Sequence, residues 1–187
     1  MSLNLNFLQY TTMLLSTPEP NPHHSAPIGY GQWVNISIYN RGSRDIKIQN
    51  LVVPWGKLYK GPGTSTSIPN SRHTTISYSI IFSHLGNMDV EISPTKYEGR
   101  VIKPNETVTI HACCRKASPS GTSGEFSLID TKGGQVIRHL YWDCPWGNAR
   151  NAWILSGSNS QWTVDSEGGN LDEGPLGVIT VNVFNIN

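Results

Sequence analysis

Between Tyr141 and Gly147 the chain reads Tyr-Trp-Asp-Cys-Pro-Trp-Gly, which sets one carboxylate among two indoles and a phenol. These groups suit noncovalent contact rather than bond making. An indole is apolar across its ring yet keeps a hydrogen-bonding N–H, the combination that favours a membrane–water boundary. Pro145 presets a turn and Gly147 permits positive φ, so Trp146 is expected at an exposed loop tip, where the fold gains little from it. An exposed tryptophan of this kind is there to meet a partner. Asp143 beside it either accepts hydrogen bonds from a headgroup amine or caps its own turn.

Composition narrows the classes. The chain has 187 residues, 14 basic and 13 acidic, for a net charge of +1. Its charged fraction of 14% is low, and the basic residues are scattered singly, so no nucleic-acid stripe exists. No Gly-x-Ser-x-Gly elbow, zinc spacing or phosphate loop occurs, which argues against an enzyme, and no cofactor is implied. Cys113, Cys114 and Cys144 form no disulfide framework and read as buried free thiols. The sequons at Asn35 and Asn105 fall in expected strands and read as chance matches. No stretch has the length of a membrane-spanning helix. The N-terminal apolar run is interrupted by Asn and Gln with no basic region before it, which does not read as a signal peptide. Such a chain reads as cytoplasmic, with any route of export left unexplained.

The elements that position these side chains read as strands. Residues 1–30, with Pro18, Pro20, Pro22 and Pro27, are expected as an extended or disordered tail, and a single domain over residues 31–187 follows. Val34, Ile36 and Ile38 alternate onto one face, with Trp33 opposite, and Ile46 and Ile48 continue the pattern after a turn. Further strands are predicted over Tyr97–Lys103, Thr107–Ala112, Glu125–Asp130, Gln135–Trp142, Ala152–Ser156, Trp162–Ser166 and Leu176–Phe184. Ser118–Gly124 reads as a flexible loop. The stretch from Gly61 to about Asp89 is rich in Ser and Thr, with a β-favouring run Thr74–Phe82. Trp153 and Trp162 are expected in the core. His139 and Tyr141 share a strand face, and a structural hydrogen bond within the sheet suits His139. Arg138 and Arg150 are candidate phosphate contacts. The fold class is all-β, a single sandwich.

In order along the chain, Gln32-Trp33-Val34, Ser43–Asn50, Trp55-Gly56-Lys57-Leu58, Tyr97–Pro104, Arg138–Gly147, Ser156–Asn159, Gly169–Asp172 and Gly177–Val181 resemble the aegerolysin family. The resemblance implies an actinoporin-like β-sandwich that binds sphingolipid-containing bilayers. The target is either sphingomyelin with cholesterol or ceramide phosphoethanolamine. It also implies a partner with a membrane-attack-complex/perforin (MACPF) domain that forms the pore. Lipid-engaging positions then map to Trp33, Trp55 and Trp146, with Tyr141 and Trp142 beside the last and Asp143 in the same turn. Cholesterol-dependent members carry a glutamate where Ser120 stands, so this loop leaves the lipid open. The family has no counterpart for the tail. Its loop at 61–89 is shorter by roughly two dozen residues, so that stretch reads either as an elaborated loop or as a translated intron. A carbohydrate-binding lectin is the competing class, because aromatics on sandwich loops also stack on sugars.

Overall fold

The computed structural model describes residues 30–62 and 86–186. The expected tail up to residue 29 and the run Thr74–Phe82 lie outside the described residues. Alternation builds the strands as expected. In β1 (Trp33–Asn40), Val34, Ile36 and Ile38 are fully buried. It lies antiparallel to β6 (Thr107–Cys113) and parallel to β11 (Gly177–Asn185), whose Ile110 and Ile179 meet Ile36 in register. With β3 (Lys57–Lys60), β4 (Asn87–Ile92) and β10 (Trp162–Gly168), these make a six-stranded sheet in the order β10-β11-β1-β6-β3-β4. The second sheet holds β5 (Val101–Ile102), β2 (Ile46–Trp55), β7 (Thr122–Asp130), β8 (Val136–Cys144) and β9 (Ala152–Ser156), in the order β5-β2-β7-β8-β9. The inner faces bury one continuous aliphatic core that includes Ile48, Leu128, Leu140 and Val181. This is the β-sandwich that the pattern predicts.

Four elements differ from expectation. Tyr97–Lys103 is not one strand: Ser93 caps a short 3₁₀ turn at Pro94–Lys96, and only Val101–Ile102 pair with β2. Tyr97 is buried and donates its hydroxyl to the Thr109 carbonyl at 3.1 Å. The Glu98 carboxylate accepts from the backbone N–H groups of Asn50 and Leu51, where β2 bulges away from its ladder with β7. Asn105 lies in the turn before β6 at φ 62°, not in a strand. Asn87–Asp89, expected to belong to the irregular stretch, are the start of β4. Tyr30, expected in the tail, is tied to the domain by its hydroxyl to Asp89 at 2.7 Å.

Trp142 is a correction of a different kind. It was expected at the lipid-facing edge, but it is fully buried in the core. Its neighbours Tyr141 and Asp143 point outward, so strand alternation sends this ring inward. The indole packs 6.5 Å from the Phe126 ring and donates Nε1–H to Thr122 Oγ1 at 3.4 Å. Gly124 leaves the room: any Cβ there would collide with the indole. Trp162 is buried as expected, and Trp153 is partly buried against the same core.

One residue joins the two sheets at the end of β2. Gly56 is all that separates Trp55, in the five-stranded sheet, from Lys57, in the six-stranded one. Its φ is +78°, and a Cβ would lie 2.5 Å from the Cys113 carbonyl oxygen and 2.9 Å from Thr122 Cβ. Only glycine fits such a corner. Gly56→Ala is expected to cost about 2 kcal/mol or more, combining a left-handed backbone with two close contacts. Trp142→Ala is expected to cost about 3–5 kcal/mol as a core truncation. Urea titration followed by circular dichroism measures both, and a loss below about 1 kcal/mol for Trp142→Ala contradicts its place in the core.

Candidate functional site

Three segments converge beyond the Gly56 corner. Trp55 ends β2 opposite Ser123 of β7, the loop through Pro119 and Ser120 leads into β7, and the turn at Pro145–Gly147 follows β8. Around them lies a recess of about 290 Å³ lined by Trp55, Pro119, Ser120, Asp143, Pro145 and Trp146. Thus four of the seven residues expected to engage lipid are brought to one place. Trp55 is 66% exposed and Trp146 is 42% exposed, whereas the other four tryptophans are buried or half-buried. Gly147 has φ +83°, so the turn chemistry read from Pro-Trp-Gly is present.

Two polar groups of this recess, Ser120 Oγ and the Asp143 carboxylate, lack internal partners among the described residues. Ser120 Oγ is buried and has no hydrogen-bond partner among the described residues. A buried hydroxyl left in that state costs about 1–3 kcal/mol unless a ligand or water satisfies it. Asp143 is half-buried, and no hydrogen bond or ion pair engages its carboxylate among the described residues. Burial raises its pKa above the ordinary carboxylate value. No Lys or Arg lines the recess. An unpaired carboxylate between two exposed indoles is chemically a receptor for an organic cation, through charge and through the ring faces.

The remaining expected residues lie apart from it. Trp142 is beneath the recess, holding Thr122 rather than touching a ligand. Tyr141 lies two positions before Asp143 on the same outer face and lines a second recess of about 290 Å³ with Asn50, Glu125, His139 and Ser156. Burial, then the charges of Asp143 and Glu125, push its phenol pKa up. His139 Nδ1 is 2.8 Å from Ser127 Oγ, the structural bond expected of it. Trp33 stands at the same end of the sandwich but on the outer face of the six-stranded sheet. There it packs with Tyr30, Tyr59, Met88 and Cys113. Arg138 donates to the Gly157 carbonyl and Arg150 pairs with Asp172, so neither points into the recess.

Two further expectations are resolved by burial. All three cysteines are buried, and none forms a disulfide. Desolvation pushes Cys113 up to about 12 and Cys144 up to about 11, which leaves both protonated at neutral pH. Asn35, in the first sequon, is buried and accepts the Tyr59 hydroxyl at 2.7 Å.

Sequence reasoning missed Pro119, Thr122 and Pro145 as parts of the wall. The Ser118–Gly124 segment reads as a loop by composition, yet β7 begins at Thr122 because the bond to Trp142 and the Gly124–Trp142 contact hold it. The available signal was the pair of small residues, Gly121 and Gly124, facing the end of β8.

The aegerolysin family profile matches residues 70–186. Ostreolysin A6 of Pleurotus ostreatus is 42% identical over 158 residues, which cover 84% of this chain and 97% of that protein. Asp-hemolysin of Aspergillus fumigatus is 29% identical over 155 residues, covering 82% of this chain and 93% of that protein. Among solved structures, IP-1A from Alcaligenes faecalis superposes with a TM-score of 0.65 at 29% identity, covering 86% of this chain and 95% of that one. Profile, identity and fold agree: the chain belongs to the aegerolysin family and is a non-enzymatic, lipid-binding, cytolysin-related protein.

Proposed function

We propose that the Trp55–Trp146 recess reads the headgroup of a membrane sphingolipid. The observation that carries this reading is the unpaired, half-buried Asp143 carboxylate between two exposed indoles. The cationic amine of the headgroup sits against Asp143, and both indoles settle in the headgroup layer. A primary ammonium donates hydrogen bonds to a carboxylate, whereas trimethylammonium relies on ring faces alone. The recess therefore suits ceramide phosphoethanolamine better than sphingomyelin with cholesterol. Insertion is shallow, because the exposed apolar contact rests on two indoles at loop and strand ends, each suited to the headgroup layer. Trp33, at the same end, supplies apolar support from the opposite sheet face. The protein binds at target-cell membranes, and a perforin-like MACPF partner recruited to it forms the pore.

A surface plasmon resonance series on vesicles tests the site. Trp55→Ala with Trp146→Ala is expected to weaken retention on ceramide phosphoethanolamine vesicles by about a hundredfold. This corresponds to losing a few kcal/mol of interfacial contact. Unchanged retention in the folded double variant rejects the reading, as does failure of every sphingolipid, with or without sterol, to support binding. In a dye-release assay the protein alone is expected to leave such vesicles intact and to permeabilise them with a perforin-domain partner. Strong release by the protein alone contradicts the two-component account.

The pH dependence has a definite sign. Asp143 holds its proton at higher pH than an ordinary carboxylate with pKa of about 3.9, because burial penalises its charged form. Cation binding needs the charged form, so affinity is full above the raised pKa and falls as pH drops through it. Folding stability moves the other way for this group, being greater once it is protonated. Asp143→Asn is expected to lower affinity at neutral pH and to flatten the acidic limb of the binding curve. An unchanged acidic limb in Asp143→Asn removes Asp143 from the site.

A further inference from the structure

The second recess, on the outer face of the five-stranded sheet, is not used by the headgroup reading. Its walls come from β2, β7, β8 and β9, through Asn50, Glu125, Tyr141, His139 and Ser156. These are rigid strand positions, apart from Asn50, which sits at the β2 bulge with φ +57°. The Glu125 carboxylate, Tyr141 hydroxyl, Asn50 side-chain amide and Ser156 hydroxyl carry no hydrogen bond or ion pair among the described residues, and His139 commits only Nδ1, to Ser127. Donors and acceptors thus converge on one space with no internal partner. No Lys or Arg lines it, and one carboxylate does, so an anionic ligand is disfavoured. The volume of about 290 Å³ is small for a ligand pocket and suits a single ring rather than a chain.

We propose that this recess is a saccharide subsite that takes an uncharged, hydroxyl-rich ring of monosaccharide size. Vicinal hydroxyls donate to the Glu125 carboxylate and exchange hydrogen bonds with Asn50, Ser156 and His139 Nε2. The apolar face of the ring lies toward the Tyr141 phenol. Placement adds a second feature. Along β8, Tyr141 lies about 7 Å from Asp143 and His139 about 14 Å, on the same face and directed away from the Trp146 turn. With the indole end on the membrane, the subsite stands above the headgroup layer, where the sugar of a glycosylated lipid projects. This placement rests on the membrane reading; the ligand chemistry of the recess does not. The sugar is either lipid-borne or free, and the two sources share this chemistry.

The test is a nitrogen-15 correlation titration of the full chain with methyl glycosides of glucose, galactose, mannose and N-acetylglucosamine. In parallel, retention is measured on phosphatidylcholine vesicles carrying ceramide or glucosylceramide. At least one glycoside is expected to shift the amides of Asn50, Glu125, His139 and Ser156. Glu125→Gln is expected to weaken that binding about tenfold, the loss of one hydrogen bond to a charged group. The same variant keeps its retention on ceramide phosphoethanolamine vesicles. Greater retention on glucosylceramide than on ceramide identifies a lipid-borne sugar, while shifts without that gain identify a free one. No shift with any glycoside together with no gain from glucosylceramide overturns the proposal, as does undiminished binding in Glu125→Gln. Loss of sphingolipid retention across all compositions, with the shifts intact, rejects the membrane reading alone.

Discussion

The chain changes sheets in the space of one residue, and the site depends on that corner. Trp55 and Lys57 belong to different sheets with only Gly56 between them. At this corner the Trp55 indole is left in solvent. Lys57, one step later, is already buried. A Cβ at Gly56 would strike the Cys113 carbonyl and Thr122, the first residue of β7. Thr122 in turn accepts from the Trp142 indole, and that strand carries Asp143, one residue before Cys144 and two before Pro145. Corner, strand start and turn are therefore one mechanically connected unit. The walls of the recess are set by packing within the fold.

This arrangement divides the aromatics by task. Trp142 and Trp162 are structural, Trp153 packs at the core margin with its Nε1–H on Ser166 at 3.1 Å, and Trp33 covers the opposite sheet face. Only Trp55 and Trp146 are free to leave water for another phase. Placing two exposed indoles about one half-buried carboxylate makes a surface that is stable in water yet unsatisfied. The orphan hydroxyl of Ser120 belongs to the same pattern. A glutamate at that position would put a second carboxylate in the recess and raise the cost of burying either, so Ser120 leaves Asp143 as the single carboxylate in its lining.

Much of the sandwich was legible because strand alternation is a local signal. Val34, Ile36 and Ile38, or Ile179, Val181 and Val183, announce a buried face without knowledge of the partner strand. The Pro145–Gly147 turn was legible for the same reason. The misread elements depend on distant residues. Tyr97–Lys103 has β-favouring side chains, yet Glu98 is drawn off to cap the β2 bulge and only two residues pair. Thr122–Gly124 has a loop composition but is held as strand by an indole from β8. Trp142 itself was misplaced because residue type suggested an interface while alternation with Tyr141 and Asp143 demanded the core. Here the period of the strand outweighed the chemistry of the side chain.

The most direct measurement of the central claim is depth-dependent fluorescence quenching by brominated lipids in ceramide phosphoethanolamine vesicles. Emission of the wild-type chain is expected to be quenched by shallow bromines and little by deep ones, since two indoles sit in the headgroup layer. In the Trp55→Phe, Trp146→Phe double variant that quenching is expected to fall sharply while the emission of the other four tryptophans remains. Quenching of equal size in the double variant would show that another face meets the bilayer and would contradict the account.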